Sequence, residues 1–264
     1  MSELLFDVQD SVALLTLNRP EHKNAFTTSM LDAWSEALLR CRDDERIRAL
    51  VLTGAGDAFC AGGDVGRMKD NADAGVETPL DQKDYIWKNI ARIPRLLQEI
   101  DKPFIAAVNG VAAGAGMDMA LMADIIFAAR SARMGETYIR VGLIPGDGGA
   151  WLLPRIVGMS KALELLWTGD MIDAEEALRI GLVNRLFEDE RLLDETLAFA
   201  SRLARGPSVA IRMTKRLCRQ GLQTGLIEHL DLATSHQPVL KGTADHKEAV
   251  AAFKEKRKPE FRGR

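Results

Sequence analysis

The sequence predicts an α/β protein, and three observations carry that expectation. Continuous apolar runs at 47–54 ("IRALVLTG"), 103–109 ("PFIAAVN") and 123–129 ("ADIIFAA") read as strands buried on both faces. Stretches of helical period lie between and after them. Two glycine-rich passages, "FCAGGDVG" at 59–66 and "GVAAGAGMDMA" at 110–120, fall where a buried strand gives way to a helix.

The elements follow in order. "LLFDV" and "VALLTLN", separated by the polar "QDS", read as a β-hairpin. "RPEHKNAF" is a loop, after which Leu31, Trp34, Leu38 and Cys41 recur at helical spacing, with Thr27 or Thr28 as N-cap. After the first glycine passage, "KDNADAGVETPLDQ" (69–82) is polar and without period, and reads as a mobile loop or lid. A helix is expected from about Asp84 to Ile100. Beyond Ser160 the pattern is almost wholly helical, so residues 1–200 are read as the core and 201–264 as a helical C-terminal region. The long apolar stretch from Phe104 to Ala129 contains Asn109, Asp118 and Asp124. Each central aspartate would cost about 2.5–3.5 kcal/mol in a bilayer, so strand, loop, helix and strand is the better reading.

A 264-residue chain with 47% hydrophobic residues and 28% charged has the composition of a soluble globular enzyme. Its net charge of −3 gives no basic footprint for nucleic acid. Cys41, Cys60 and Cys218 lack disulfide or metal-ligand spacing, which points to a reducing compartment and to no metal site. "MSELLFDVQD" lacks the features of a secretory signal, so the cytoplasm is expected.

The glycine passages invite a chemical reading. Small residues at a strand-to-helix junction let a ligand reach backbone N–H groups that stabilise a phosphate or a developing oxyanion. The glycines could equally serve tight turns alone. A dinucleotide fingerprint would need a third glycine after Gly114 and Gly116, where Met119 stands.

Five stretches in order, "NRPEHKNAF" (18–26), "LTGAGDAFCAGGDV" (52–65), "KPFIAAVNGVAAGAGMDMAL" (102–121), "GLIPGDGGAWLLPRIVG" (142–158) and "DHKEAVAAFKEKRKPEF" (245–261), make the chain resemble the crotonase group, the enoyl-CoA hydratase/isomerase superfamily, over essentially its full length. Parts of the third and fourth resemble the phenylacetate-pathway isomerase branch. The resemblance implies a ββα spiral core with a helical C-terminal trimerisation region, and a homotrimer or homohexamer. It implies an acyl-CoA substrate, with coenzyme A entering as part of that substrate and no separate cofactor. It places an oxyanion hole for the thioester at the N–H groups of Gly63 and Ala115, with Gly62 free of a side chain that would obstruct it. CoA contacts fall at Lys23, Ala25, Ala61, Asp64 and Val65, with Phe253 and Lys256 from the C-terminal end.

The acid–base positions depart from the hydratase pattern, in which two glutamates hold the water. Here they are Asp118 and Tyr138. Asp118 can act as a base or serve only its helix N-terminus. Tyr138, with an ordinary pKa of about 10, can donate a proton or hydrogen bond, or form a pocket wall with its hydroxyl on the backbone. Asp147 lies one position from the aspartate of the isomerase branch, with Gly146 at the match, and would otherwise make a local turn bond. Glu136 is a fallback base or a surface acid, and Trp151, Leu152 and Leu153 read as core. The expected activity is enoyl-CoA hydration or double-bond isomerisation through a thioester enolate. Decarboxylation, thioester hydrolysis or a non-catalytic acyl-CoA-binding oligomer are the alternatives.

Overall fold

The computed structural model describes residues 2–63 and 78–264. Asp64, Val65 and positions 69–77 of the expected lid lie outside the described residues. Strands β1 (Leu4–Gln9) and β2 (Val12–Leu17) form the expected hairpin, with Leu4 opposite Leu17 and Gln9 opposite Val12. Asp10 and Ser11 both have positive φ (49° and 64°), the mirror-image turn that matches the twist of paired strands.

The chain then coils. Helix α1 (Thr28–Asp43) starts at Thr27, whose Oγ1 accepts a bond from the Met30 N–H at 3.1 Å. β3 (Ala49–Gly54) and β4 (Ala58–Cys60) follow, both fully buried. α2 (Pro79–Tyr85) leads through a π-type turn (Ile86–Ile90) into α3 (Arg92–Glu99), which packs on α1. β5 (Phe104–Val108), β6 (Val111–Ala113) and α4 (Ala115–Leu121) make the next turn, and β7 (Ile125–Ala129) and β8 (Arg133–Gly135) the one after. Each turn gives one strand to each of two sheets. The larger has the order β1-β2-β3-β5-β7-β10, parallel from β2 onward, and the smaller has the order β4-β6-β8-β9.

Two boundaries differ from the sequence reading. The helix before Ile100 begins at Pro79 rather than near Asp84, because Thr78 and Asp81 form a reciprocal capping box with proline in the first turn. The region after Ser160 is not wholly helical. After α5 (Gly149–Val157) and α6 (Met159–Thr168), β9 (Ile172–Asp173) pairs with β8. Past α7 (Ala174–Arg179), β10 (Arg185–Phe187) completes the large sheet beside β7. Strands of two and three residues are too short to show a period. Phe187 and Phe199 each meet Phe127 edge to face, at 5.4 and 5.1 Å.

α8 (Leu192–Ala204) covers the sheet, and α9 (Ser208–Gly221), α10 (Leu226–Gly242) and α11 (Ala244–Glu255) extend from it. Lys215 to Asp124 (2.5 Å) and Arg212 to Asp101 (2.7 Å) tie α9 to the core. No described helix is long and apolar enough to cross a membrane.

Successive turns of the coil touch backbone to backbone. A Cβ at Gly110 would overlap the Asp57 carbonyl, and one at Gly116 would overlap the Cys60 carbonyl. Gly116→Ala is therefore expected to destabilise the protein by about 2–3 kcal/mol, because fixed backbone cannot yield as a side chain would. Urea unfolding measures the loss, and a midpoint unchanged from wild type would contradict this packing.

Candidate active site

The first wall of the site is the loop from Arg19 to Phe26 laid against 58–63. Asn24 is fully buried. Its side-chain nitrogen donates to the carbonyls of Ala55 (2.9 Å) and Ala58 (2.8 Å), and its Oδ1 accepts from the Arg19 N–H at 2.9 Å. The Ala61 N–H bonds the Lys23 carbonyl at 2.9 Å, and the Phe26 N–H bonds the Gly62 carbonyl at 3.0 Å. Lys23, Ala25, Ala61, Gly62 and Gly63 are thus held together. Lys23 has a positive φ (49°), and its exposed ammonium pairs with Asp57.

The second wall is the start of α4. Gly62 has φ +97°, and a Cβ there would come within 2.8 Å of the Ala113 carbonyl and 3.6 Å of the Ala115 nitrogen. The two glycine passages therefore meet where the Ala115 N–H, in the first helical turn, has no partner within its own helix. Phe253 and Lys256 are not brought in. Phe253 is 86% exposed, Lys256 caps the far end of α11, and neither bonds the Lys23 or Ala61 loops among the described residues.

Four titratable groups converge beside these walls. Asp118, one turn into α4, is completely buried. Glu136 follows β8, where a 3-10 turn (Thr137–Val141) swings Tyr138 to the same side. Asp147 stands just before Gly148 (φ +119°) and α5. The Tyr138 hydroxyl lies 2.7 Å from Asp118 Oδ2 and 2.8 Å from Asp147 Oδ2. Across Gly149, Asp118 Oδ1 and Glu136 Oε1 face the same point, since a Cβ at that glycine would overlap the first and lie 2.6 Å from the second.

This geometry corrects several expectations. Glu136 is not a surface acid but 1% exposed, and neither of its oxygens meets an N–H or hydroxyl donor. Asp147 bonds Tyr138 rather than its own turn, and the Tyr138 hydroxyl reaches carboxyl groups rather than backbone. Trp151 is not core: it is 45% exposed under the Arg155 guanidinium, while Leu153 is buried. Nothing local marks Glu136 as interior; the packing of Gly149, at the start of α5, against it does.

Burial raises the pKa of every acid in the cluster. For Asp118, desolvation dominates; the Tyr138 hydrogen bond opposes it and the charge of Asp147 adds to it. Glu136 is raised by desolvation and then by Asp118, and Asp147 by desolvation against the Tyr138 bond. Desolvation also raises the Tyr138 phenol, keeping it protonated. No cation ion-pairs with these acids among the described residues, so protons rather than ion pairs hold down their charge, Glu136 more than Asp118. Nearby, burial pushes the Cys60 thiol up to about 12, which makes it an inert packing residue. On the Asp147 side a narrow cavity is lined by Phe26, Leu31, Trp34, Ile90, Ile93, Met119 and Met122.

A phenol set between two carboxyl groups, beside a helix N-terminus and a glycine loop, can move a proton next to an oxyanion. The enoyl-CoA hydratase/isomerase family model matches residues 7–264. The chain is 39% identical, over 100% of both sequences, to a 1,2-epoxyphenylacetyl-CoA isomerase of Escherichia coli strain K12. It is 35% identical to a crotonyl-CoA hydratase of Syntrophomonas wolfei over 98% of this chain and 97% of the other. Among solved structures, a putative enoyl-CoA hydratase/isomerase from Mycobacterium abscessus superimposes with a TM-score of 0.95 at 33% identity, covering 99% of this chain and 100% of that one. The chain belongs to the enoyl-CoA hydratase/isomerase family.

Proposed function

We propose that this chain is an acyl-CoA isomerase that shifts a double bond in an apolar acyl group, with Asp118 as the proton shuttle. The observation that carries the choice of isomerisation over hydration is the Tyr138 hydroxyl. Tyr138 stands at the position where the hydratase pattern has its second water-holding carboxylate, and its hydroxyl is taken up by Asp118 and Asp147 instead. In the proposed step Asp118 removes a proton from the carbon next to the thioester. The C–H electron pair moves onto the thioester oxygen, giving an enolate that the Gly63 and Ala115 N–H groups hold. Asp118 then returns the proton at the far end of the conjugated system, the electrons flow back, and no water is gained or lost. Tyr138 donates to Asp118, and a protonated Asp147 donates to Tyr138, which satisfies both short contacts with one phenolic proton.

Lys23 suits the CoA phosphates, where a phosphate would displace its Asp57 partner, and Ala25, Ala61 and Gly62 admit the pantetheine end. Phe253 and Lys256, remote within one chain, would contribute from a neighbouring subunit. Leu222 (70% exposed) and Leu226 (71%) sit in the 201–264 region and support its role in a trimer or hexamer. Light scattering should find that assembly, and a monomer would contradict it.

Mass spectrometry of enoyl-CoA substrates in heavy water tests the reaction. Deuterium at the two exchangeable ends of the conjugated system, next to the thioester and at its far end, and a moved double bond are expected, whereas a product heavier by one water would overturn isomerisation. Asp118→Asn should lower turnover by about 10²–10⁴-fold, the worth of a positioned acid–base group. Tyr138→Phe should lower it by about tenfold or more and raise the pKa of Asp118, since a bond to the charged form is lost. Because the Asp118 pKa is raised and the reaction needs its ionised form, activity should fall off with acid at a pH above the ordinary carboxylate range. A limb within the ordinary aspartate range would assign the base elsewhere.

A further inference from the structure

Glu136 is left over by the reaction just described, although it is almost as deeply buried as Asp118. Both its oxygens are buried, neither meets an N–H or hydroxyl donor, and no cation pairs with it among the described residues. Asp118 from α4 lies against it, with Gly149 at the start of α5 beside both carboxyl groups, and the charge of Asp147, from the loop before α5, also acts on it. Both of those side chains are acidic, and the glycine has none. Asp118 Oδ1, in turn, is buried without an N–H or hydroxyl donor, and the Glu136 carboxyl is the group turned toward it. A carboxylate oxygen with no donor and a carboxyl with no cation are each unfavourable alone. One proton shared between them resolves both.

We infer that Glu136 is a neutral carboxylic acid that donates a hydrogen bond to Asp118 Oδ1, making it a positioning residue for the proton shuttle. Asp118 is then gripped at both ends, by Glu136 at Oδ1 and by Tyr138 at Oδ2. The carboxylate plane cannot rotate, and its remaining lone pairs stay aimed at the substrate carbon. The same bond favours the ionised form of Asp118 and offsets part of its burial. Gly149 is part of the device, because any side chain there would drive the two carboxyl groups apart.

The inference rests on Asp118 as the shuttle, and the test separates the two. A difference infrared spectrum of wild type against Glu136→Gln at neutral pH should contain the carbonyl stretch of a protonated carboxyl. Carboxylate bands in its place would overturn the inference, whatever the enzyme does. In heavy-water exchange, Glu136→Gln keeps a donor and should hold kcat within about threefold of wild type with the acid limb in place. Glu136→Leu removes the donor; kcat should fall about tenfold or more, KM should stay within about threefold, and the acid limb should move up. If Glu136→Leu matched wild type, Glu136 would be mere filling. If Glu136→Gln lost as much as Glu136→Leu, or its acid limb moved down, Glu136 would be ionised, and the inference fails. Should Glu136→Leu not fold, the infrared spectrum and Glu136→Gln still decide. Full exchange by Asp118→Asn would sink the shuttle while leaving the protonation of Glu136 to the spectrum.

Discussion

The close stacking of one turn of the coil on the next is the constraint from which the rest of this molecule follows. Gly62, Gly110 and Gly116 all stand where a Cβ would press on a carbonyl oxygen of an adjacent turn. Removing side chains lets whole stretches of backbone approach, and that approach sets the Ala115 N–H against Gly62. In the proposed reaction the oxyanion donors are main-chain groups, which changing side chains cannot tune, so their accuracy comes from the packing of the frame. The buried runs Ala49–Gly54 and Phe104–Val108 supply that frame, rigid because both their faces are covered.

The acid cluster obeys a second constraint, electroneutrality. Three carboxyl groups and a phenol lie within one apolar region with no arginine, lysine or histidine paired to them among the described residues. In such surroundings charge is removed by binding protons, not by ion pairs, and so the region titrates as one unit. The contrast with Asp101 is instructive. It is also largely buried, but Arg212 and Arg216 hold its carboxyl below the usual range. Asp101 is held charged as a structural tie, whereas burial raises the pKa of Asp118, which suits the proton shuttle proposed for it.

Much of this was legible in the sequence. The three apolar runs became β3, β5 and β7, and the glycine passages became the turns that meet at Ala115, because buried strands and positive-φ glycines are local properties. Asp118, Tyr138 and Asp147 could be singled out as candidates, but whether they touch depends on where residues twenty and thirty positions apart are brought together. Glu136 was the least legible. Nothing local separates a buried acid from an exposed one, since the difference lies in Gly149, whose lack of a side chain lets α5 close over it. The strands β9 and β10 escaped notice because two or three residues carry no periodic signal.

The place of β10 has a consequence for how the protein comes to exist. It pairs in parallel with β7, yet between Ala129 and Arg185 the chain lays down Glu136, Tyr138 and Asp147. The acids of the site are thus carried by a long excursion between two neighbouring strands. Closing so long a loop before its contacts repay the lost entropy makes folding slow, on the scale of milliseconds to seconds typical of sheets with distant pairings. Until Arg185–Phe187 arrives, β7 presents an open row of N–H and C=O groups, a template for the wrong neighbour. A nascent chain that has already made every residue of its acid cluster is still an unfinished sheet.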